Sequence, residues 1–159
     1  MAAGREGHPP SWSRGLRRFF RPFLSRTDKA RILAAIDQQE ARTTGRISVH
    51  VIARAGRHDI LALARHLFVT LGLDRTAGRN GVLILVSHLD HQFAIWGDQG
   101  LQARIDDNGW RRAGQVLSAH FAERRYANGI EACVREVGET LAREFPGASV
   151  GDRREQGTG

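Results

Sequence analysis

The chain has 159 residues, of which 41% are hydrophobic and 26% charged. That length holds one core of ordinary size, and the composition excludes both a chain too polar to fold and one that is mostly membrane-spanning. The formal charge of +7 suggests an anionic partner, yet residues 1–26 hold six arginines against Glu6, residues 27–146 carry only +2, and the tail is balanced. The lone cysteine, Cys133, excludes an intrachain disulfide and a multi-cysteine metal site, so a reducing intracellular setting is expected. No window approaches 18 consecutive apolar residues, which argues against a spanning helix. Arg17, Arg18, Arg21 and Pro22 break the apolar stretch that a secretory signal needs.

Gly4, Gly7, Pro9 and Pro10 mark the first eleven residues as disordered. Trp12, Leu16, Phe19 and Phe23 then recur at spacings of four, three and four, beside Arg14, Arg17, Arg18 and Arg21. On a helix limited by Pro22 this sets an apolar stripe against a guanidinium face, the pattern of a segment lying in a membrane interface. Two readings stand side by side. Trp12, Phe19, Phe20, Phe23 and the arginines contact a membrane or a partner, or Phe19, Phe20, Phe23 and Leu24 fold back onto the domain. RNA binding through the arginines is a third reading, with no recognisable reader module beside it.

A helix is expected from Thr27 or Asp28 through Ile32, Leu33 and Ile36, ending at Thr43-Thr44-Gly45. Arg46 to Ala53 alternates, with Ile47, Val49 and Val51 on one face, and reads as a strand. Asp59 caps a second helix whose Ile60, Leu63, Leu67 and Leu71 form an apolar stripe ended by Gly72. Gly81 to Ser87 is an aliphatic run suited to a central strand buried on both faces. A hairpin at His88–His91 leads to a third strand, Gln92–Trp96. Leu101 and Ile105 suggest a helical turn in the glycine- and aspartate-rich loop that follows, and two helices, about 109–124 and 126–145, end at Pro146-Gly147.

A strand, helix and strand in succession form a right-handed crossover with parallel strands, and the tight hairpin makes the third antiparallel. The expected fold is therefore α/β: an α/β/α sandwich with a small mixed sheet covered by helices on both faces. The expected organisation is a basic aromatic arm (1–26), a folded domain (27–146) and a disordered tail (147–159).

Several stretches resemble the TPM domain family. They are Thr44-Gly45-Arg46-Ile47, Asp59-Ile60 with Ala64-Arg65-His66-Leu67-Phe68 and Leu71-Gly72-Leu73, and Asn80-Gly81-Val82-Leu83-Ile84. Gly97-Asp98-Gln99-Gly100-Leu101, and Phe121 through Tyr126-Asn128-Gly129-Ile130, complete the set. The resemblance implies an α/β/α sandwich. It also implies either a weak phosphatase activity with a divalent cation, calcium or magnesium, in acidic loops, or a role in assembling or maintaining membrane complexes. The chain is similar to a short subgroup without the signal peptide and C-terminal anchor of longer members.

The loop before the second strand and the loop after the third lie at one end of the sheet, so Asp74, Asn80, Asp98, Asp106 and Asp107 can converge as oxygen ligands for a hard cation. The same residue types equally serve turns and helix caps. Asp98 and Asp106 are the candidate catalytic carboxylates, with Arg79 and Arg104 as candidate phosphate partners. Arg79 and Gln102 stand where many family relatives carry acids, which weakens a cation site. His50, His58 and His66 lack ligand spacing, His88 and His91 flank a turn, and Cys133 sits on a face that should pack as an inert thiol. Trp96 and Trp110 flank the acidic loop and are expected to close the core edge. The whole predicts a cytoplasmic binding or assembly module held by residues 12–26 to an anionic membrane surface or membrane-protein complex at the inner membrane.

Overall fold

A computed structural model of the protein describes residues 23–148. Its elements run α1 (Arg26–Glu40), β1 (Arg46–Ile52), α2 (Ile60–Thr70), a 3-10 turn (Leu73–Arg75), β2 (Gly81–Ser87), β3 (Gln92–Gly97), α3 (Gln99–Gln102), α4 (Asp107–Ala122) and α5 (Tyr126–Glu144). The sheet order is β1-β2-β3, with β1 parallel to β2 and β3 antiparallel to it. Arg46 pairs with Gly81 at one end of the parallel ladder and Ile52 with Ser87 at the other. Ser87 opposite Gln92 closes the hairpin.

Every residue of β2 is buried, because alternate side chains enter two different cores. Val82, Ile84 and Val86 meet α1, α4 and α5 through Ile36, Leu117, Ile130, Val134 and Leu141. Leu83 and Leu85, with Ala94 of β3, meet Leu63, Ala64, Leu67 and Phe68 of α2. Each fully buried branched side chain stabilises the fold by roughly 1.5–3 kcal/mol, so this strand anchors both layers. The result is the expected sandwich, one helix on one face and three long helices on the other.

The first helix starts earlier than its sequence suggests. Ser25 is the cap: its Oγ accepts the Asp28 N–H at 3.0 Å, while its own N–H donates to Asp28 Oδ2 at 3.0 Å. The sequence places the cap at Thr27 or Asp28; Asp28 is instead the return arm of this reciprocal pair, which satisfies two backbone donors rather than one. The cap draws in the residues before it, so that Leu24 is 8% exposed and Phe23 packs against the larger core. The folded part of the domain therefore includes Phe23 to Arg26, which the sequence placed in the arm.

Asp59 caps α2 by accepting the Leu61 N–H, and Gly72 follows the helix at φ 72°, the left-handed conformation that glycine adopts without steric cost. Asp106 rather than Gly109 opens α4. Arg124, at φ 59°, breaks the chain between α4 and α5.

Candidate functional site

The candidate site is the end of the sheet where β2 begins and β3 finishes. Asp98 follows β3 directly, its N–H donating to Gly81 O at 3.0 Å. Its Oδ1 accepts the Gln99 N–H at 2.7 Å and so caps α3. Both oxygens also receive a guanidinium fork, Arg79 Nε to Oδ2 at 2.9 Å and Arg79 Nη2 to Oδ1 at 3.1 Å. The Asp98 side chain is 5% exposed and that of Arg79 46%. Planar two-point pairing of this kind is the strong form of a charged hydrogen bond.

The backbone pays for bringing Arg79 there. Arg79 sits at φ 49°, a left-handed conformation unusual for a branchless long side chain, pinned by its N–H donating to Thr76 O at 3.1 Å and its carbonyl accepting the Gly100 N–H at 2.9 Å. A Cβ on Gly100 would run into Gly78 O and Arg79 O, so only glycine lets the two loops close. The bonded Asp98 carboxylate, and next its charge, raise the Arg79 guanidinium pKa above its ordinary value, and the Asp74 charge adds a smaller push the same way.

Asn80 is fully buried beside this clasp. Its N–H donates to Thr76 Oγ1 and its Nδ2 to Thr44 Oγ1, both at 3.0 Å. Asn80 Oδ1 and Asp74 Oδ1 are buried and without a hydrogen-bond partner. Asp74, Asn80 and Asp98 are thus gathered near Arg79, whereas Asp106 and Asp107 belong to the start of α4. Asp106 caps that helix by accepting the Gly109 N–H at 3.1 Å, and both residues line a hollow of about 490 Å³ shared with Trp96 and Trp110. The five oxygen-bearing residues expected to converge do so only in part. Backbone capping engages Asp106 Oδ1, while both oxygens of Asp98 are bonded.

A divalent cation of the calcium type needs six to eight oxygens, several of them anionic. The two Asp98 oxygens already accept three hydrogen bonds, two of them from a cation, and among the described residues no group of three or more His, Cys, Asp or Glu side chains could hold a metal ion. With the guanidinium in the fork, the residues do not fit a divalent cation. Nor is Asp98 free to attack a phosphate. Arg104 lies elsewhere: it donates to Glu144 O at 2.8 Å and stacks over the Phe145 ring at 4.4 Å.

Phe23, for which contact with a membrane or partner and folding back onto the domain were both expected, packs against the larger core. Its ring stacks on His88 at 4.5 Å and 18°, and lies 4.7 Å from Tyr126, which meets Phe121 edge-on at 5.2 Å. Burial first, then the Arg54 and His91 charges, lowers the His88 pKa. Trp12, Arg14, Arg17, Arg18, Phe19, Phe20 and Arg21 lie outside the described residues. Cys133 is fully buried, its thiol pushed up to about 12 chiefly by desolvation, which leaves it inert as a nucleophile. Trp96 packs against the smaller core and Trp110 against the larger, at the edge as expected.

Two features were not read from the sequence. The Arg79–Asp98 fork joins residues nineteen apart and needs the hairpin register to be known. A second polar lock holds the hairpin: the Ala55 N–H donates to Ser87 Oγ at 3.0 Å and to Asp90 Oδ2 at 2.6 Å, and Ser87 Oγ donates to Asp90 Oδ2 at 2.8 Å. The Ser87–Asp90 bond, followed by the Ala55 N–H, lowers the Asp90 pKa.

A family model described as the TPM domain matches residues 20–140. The NMR structure of the BA42 protein from the psychrophilic bacterium Bizionia argentinensis is similar at 30% identity, covering 80% of this chain and 87% of that one with a TM-score of 0.75. The N-terminal domain of the cg2496 protein from Corynebacterium glutamicum (20% identity, 79% and 78% coverage, TM-score 0.62) shares the fold. So does the N-terminal domain of a protein from P. gingivalis (19% identity, 77% and 79% coverage, TM-score 0.65). No curated protein matches the chain.

Proposed function

We propose that the chain, which belongs to the TPM domain family, works as a binding or assembly module that docks on an anionic membrane surface at the cytoplasmic face. The observation that carries this reading is the placement of charge. Five arginines against one glutamate precede a folded domain in which basic and acidic side chains nearly balance, and they alternate with Trp12, Leu16, Phe19 and Phe20. Each arginine near an anionic leaflet contributes about 1 kcal/mol, and the aromatic groups add apolar burial, so several together suffice for reversible attachment. Among the described residues no helix is long and apolar enough to cross a membrane, and attachment would be peripheral. Support for a binding role over hydrolysis comes from the sheet end, where Arg79 occupies both oxygens of Asp98.

Vesicle flotation tests the reading. The full chain is expected to float with vesicles containing anionic lipid and to stay behind with neutral ones. An Arg17→Glu, Arg18→Glu, Arg21→Glu variant is expected to lose most of that recovery. Equal recovery of the variant and the natural chain would end the proposal.

A further inference from the structure

A hollow of about 520 Å³ lies at the end of the sheet where β1 begins and the 3-10 turn leads into β2. Its polar walls are Thr44 and Arg46 from the entry to β1, and Arg75 and Thr76 from the turn, with no carboxylate among them. One buried side chain sets both hydroxyls. Asn80 donates its N–H to Thr76 Oγ1 and its Nδ2 to Thr44 Oγ1, both at 3.0 Å. Each threonine oxygen therefore accepts from Asn80, and its own O–H, which has no acceptor among the described residues, is left to donate. Arg46 and Arg75 are exposed, and among the described residues neither has an acidic partner within 4.0 Å. The Arg75 N–H donates to Gly72 O at 3.2 Å, and its stem lies along Gly72, where an added Cβ would stand 3.7 Å from Arg75 Cδ. Acids of this region serve other groups: Glu40 Oε1 accepts the Ile47 N–H at 2.9 Å, and the Asp98 oxygens hold Arg79.

We propose that this hollow is a docking site for an acidic peptide segment, whose carboxylates pair with Arg46 and Arg75 and accept the hydroxyls of Thr44 and Thr76. The wall selects the sign of the ligand, since every polar side chain on it donates and two of them are cations. Arginine selects the shape, because its planar fork matches a carboxylate at two points. Exposure selects the size. A single ion pair open to water contributes little, so a lone small anion would be held weakly at two exposed arginines. Several carboxylates carried on one chain add their contacts without losing translational freedom again, and binding then becomes appreciable. The role of Asn80 is to position, since it fixes the two threonine oxygens from inside the fold and leaves only their hydrogens for the ligand. The site uses no residue of the N-terminal arm, so membrane docking and peptide docking fail separately.

Backbone amide NMR of the full chain at low salt, titrated with hexaglutamate, tests the site residue by residue. The signals of Thr44, Arg46, Arg75 and Thr76 are expected to move together with one affinity, and the shifts should shrink as salt is added. An Arg46→Gln, Arg75→Gln variant is expected to weaken that affinity about tenfold or more. Both arginines are exposed, so this variant should melt within about 2 °C of the natural chain. The Arg17→Glu, Arg18→Glu, Arg21→Glu variant is expected to keep the four shifts, which separates the site from peptide held by the arm. Four signals that stay in place up to millimolar peptide overturn the proposal, as does equal affinity in the Arg46→Gln, Arg75→Gln variant. Inorganic phosphate that moves the four signals as far as hexaglutamate at equal concentration also overturns it, assigning the hollow to a small oxyanion.

Discussion

The sheet has one end crowded with polar residues and one long edge that is apolar, and they behave in opposite ways. At the end near Asp98, carboxylates, amides and an arginine stand together, yet the strongest groups satisfy each other: the fork consumes Arg79 and Asp98, and caps consume Asp98 and Asp106. Beside β1, Leu24, Leu33, Val49 and Val51 wall an apolar hollow, and Leu33 is 60% exposed. The oxygens left unbonded at the polar end are Asp74 Oδ1 and Asn80 Oδ1, not those of Asp98.

The comparison breaks most visibly at Arg79. Arg79→Ala leaves the Asp98 carboxylate 5% exposed with no counter-charge, and is expected to lower the midpoint of chemical denaturation, by less than for a fully buried pair because Arg79 is half exposed. The Arg79→Ala, Asp98→Asn double variant should recover part of that loss in chemical denaturation. Equal losses for the single and double variants would show that the fork contributes little. At the other region, Phe23→Ala is expected to cost about 1–2 kcal/mol through lost stacking on His88 and Tyr126. Ser25→Ala should cost about 1 kcal/mol by removing the cap that holds Leu24 and Phe23 in place. Either variant can be followed by thermal unfolding, and neither should alter vesicle recovery.

The smallest expected effect is a pH dependence. Because the His88 pKa is lowered in the folded state, the unfolded chain binds more protons as pH falls through the ordinary histidine range. Stability from this residue is therefore full at neutral pH and declines on acidification below the unfolded-state value. His88→Phe should flatten that decline over the same interval while keeping the stack with Phe23. An unchanged slope would assign the pH dependence to other groups.

Much of the fold was legible because local and tertiary demands agree. Val82 to Val86 is aliphatic on every residue since both cores claim it, and Asp59 and Gly72 bound α2 with the cap and left-handed turn their chemistry favours. The start of α1 was misplaced because Thr27 and Asp28 are good caps in their own right, and the reciprocal bonds of Asp28 with Ser25 show which residue leads. Phe23 shares the helical spacing of Trp12, Leu16 and Phe19, so periodicity alone could not separate a packed residue from a segment awaiting a surface. At the candidate site the acids were visible and their partners were not. Pairing of Asp98 with Arg79 follows from the hairpin register and from a glycine-only approach of two loops, and neither is written in local sequence.

Calorimetric titration of the natural chain with calcium and magnesium decides whether Arg79 stands in for a metal ion at Asp98. No binding heat is expected up to millimolar concentrations, with an unchanged melting temperature in either ion, and a melting temperature raised by calcium only after Arg79→Ala frees the Asp98 oxygens beside Asp74 and Asn80. Micromolar binding by the natural chain, or an Arg79→Ala variant that calcium fails to stabilise, would contradict it.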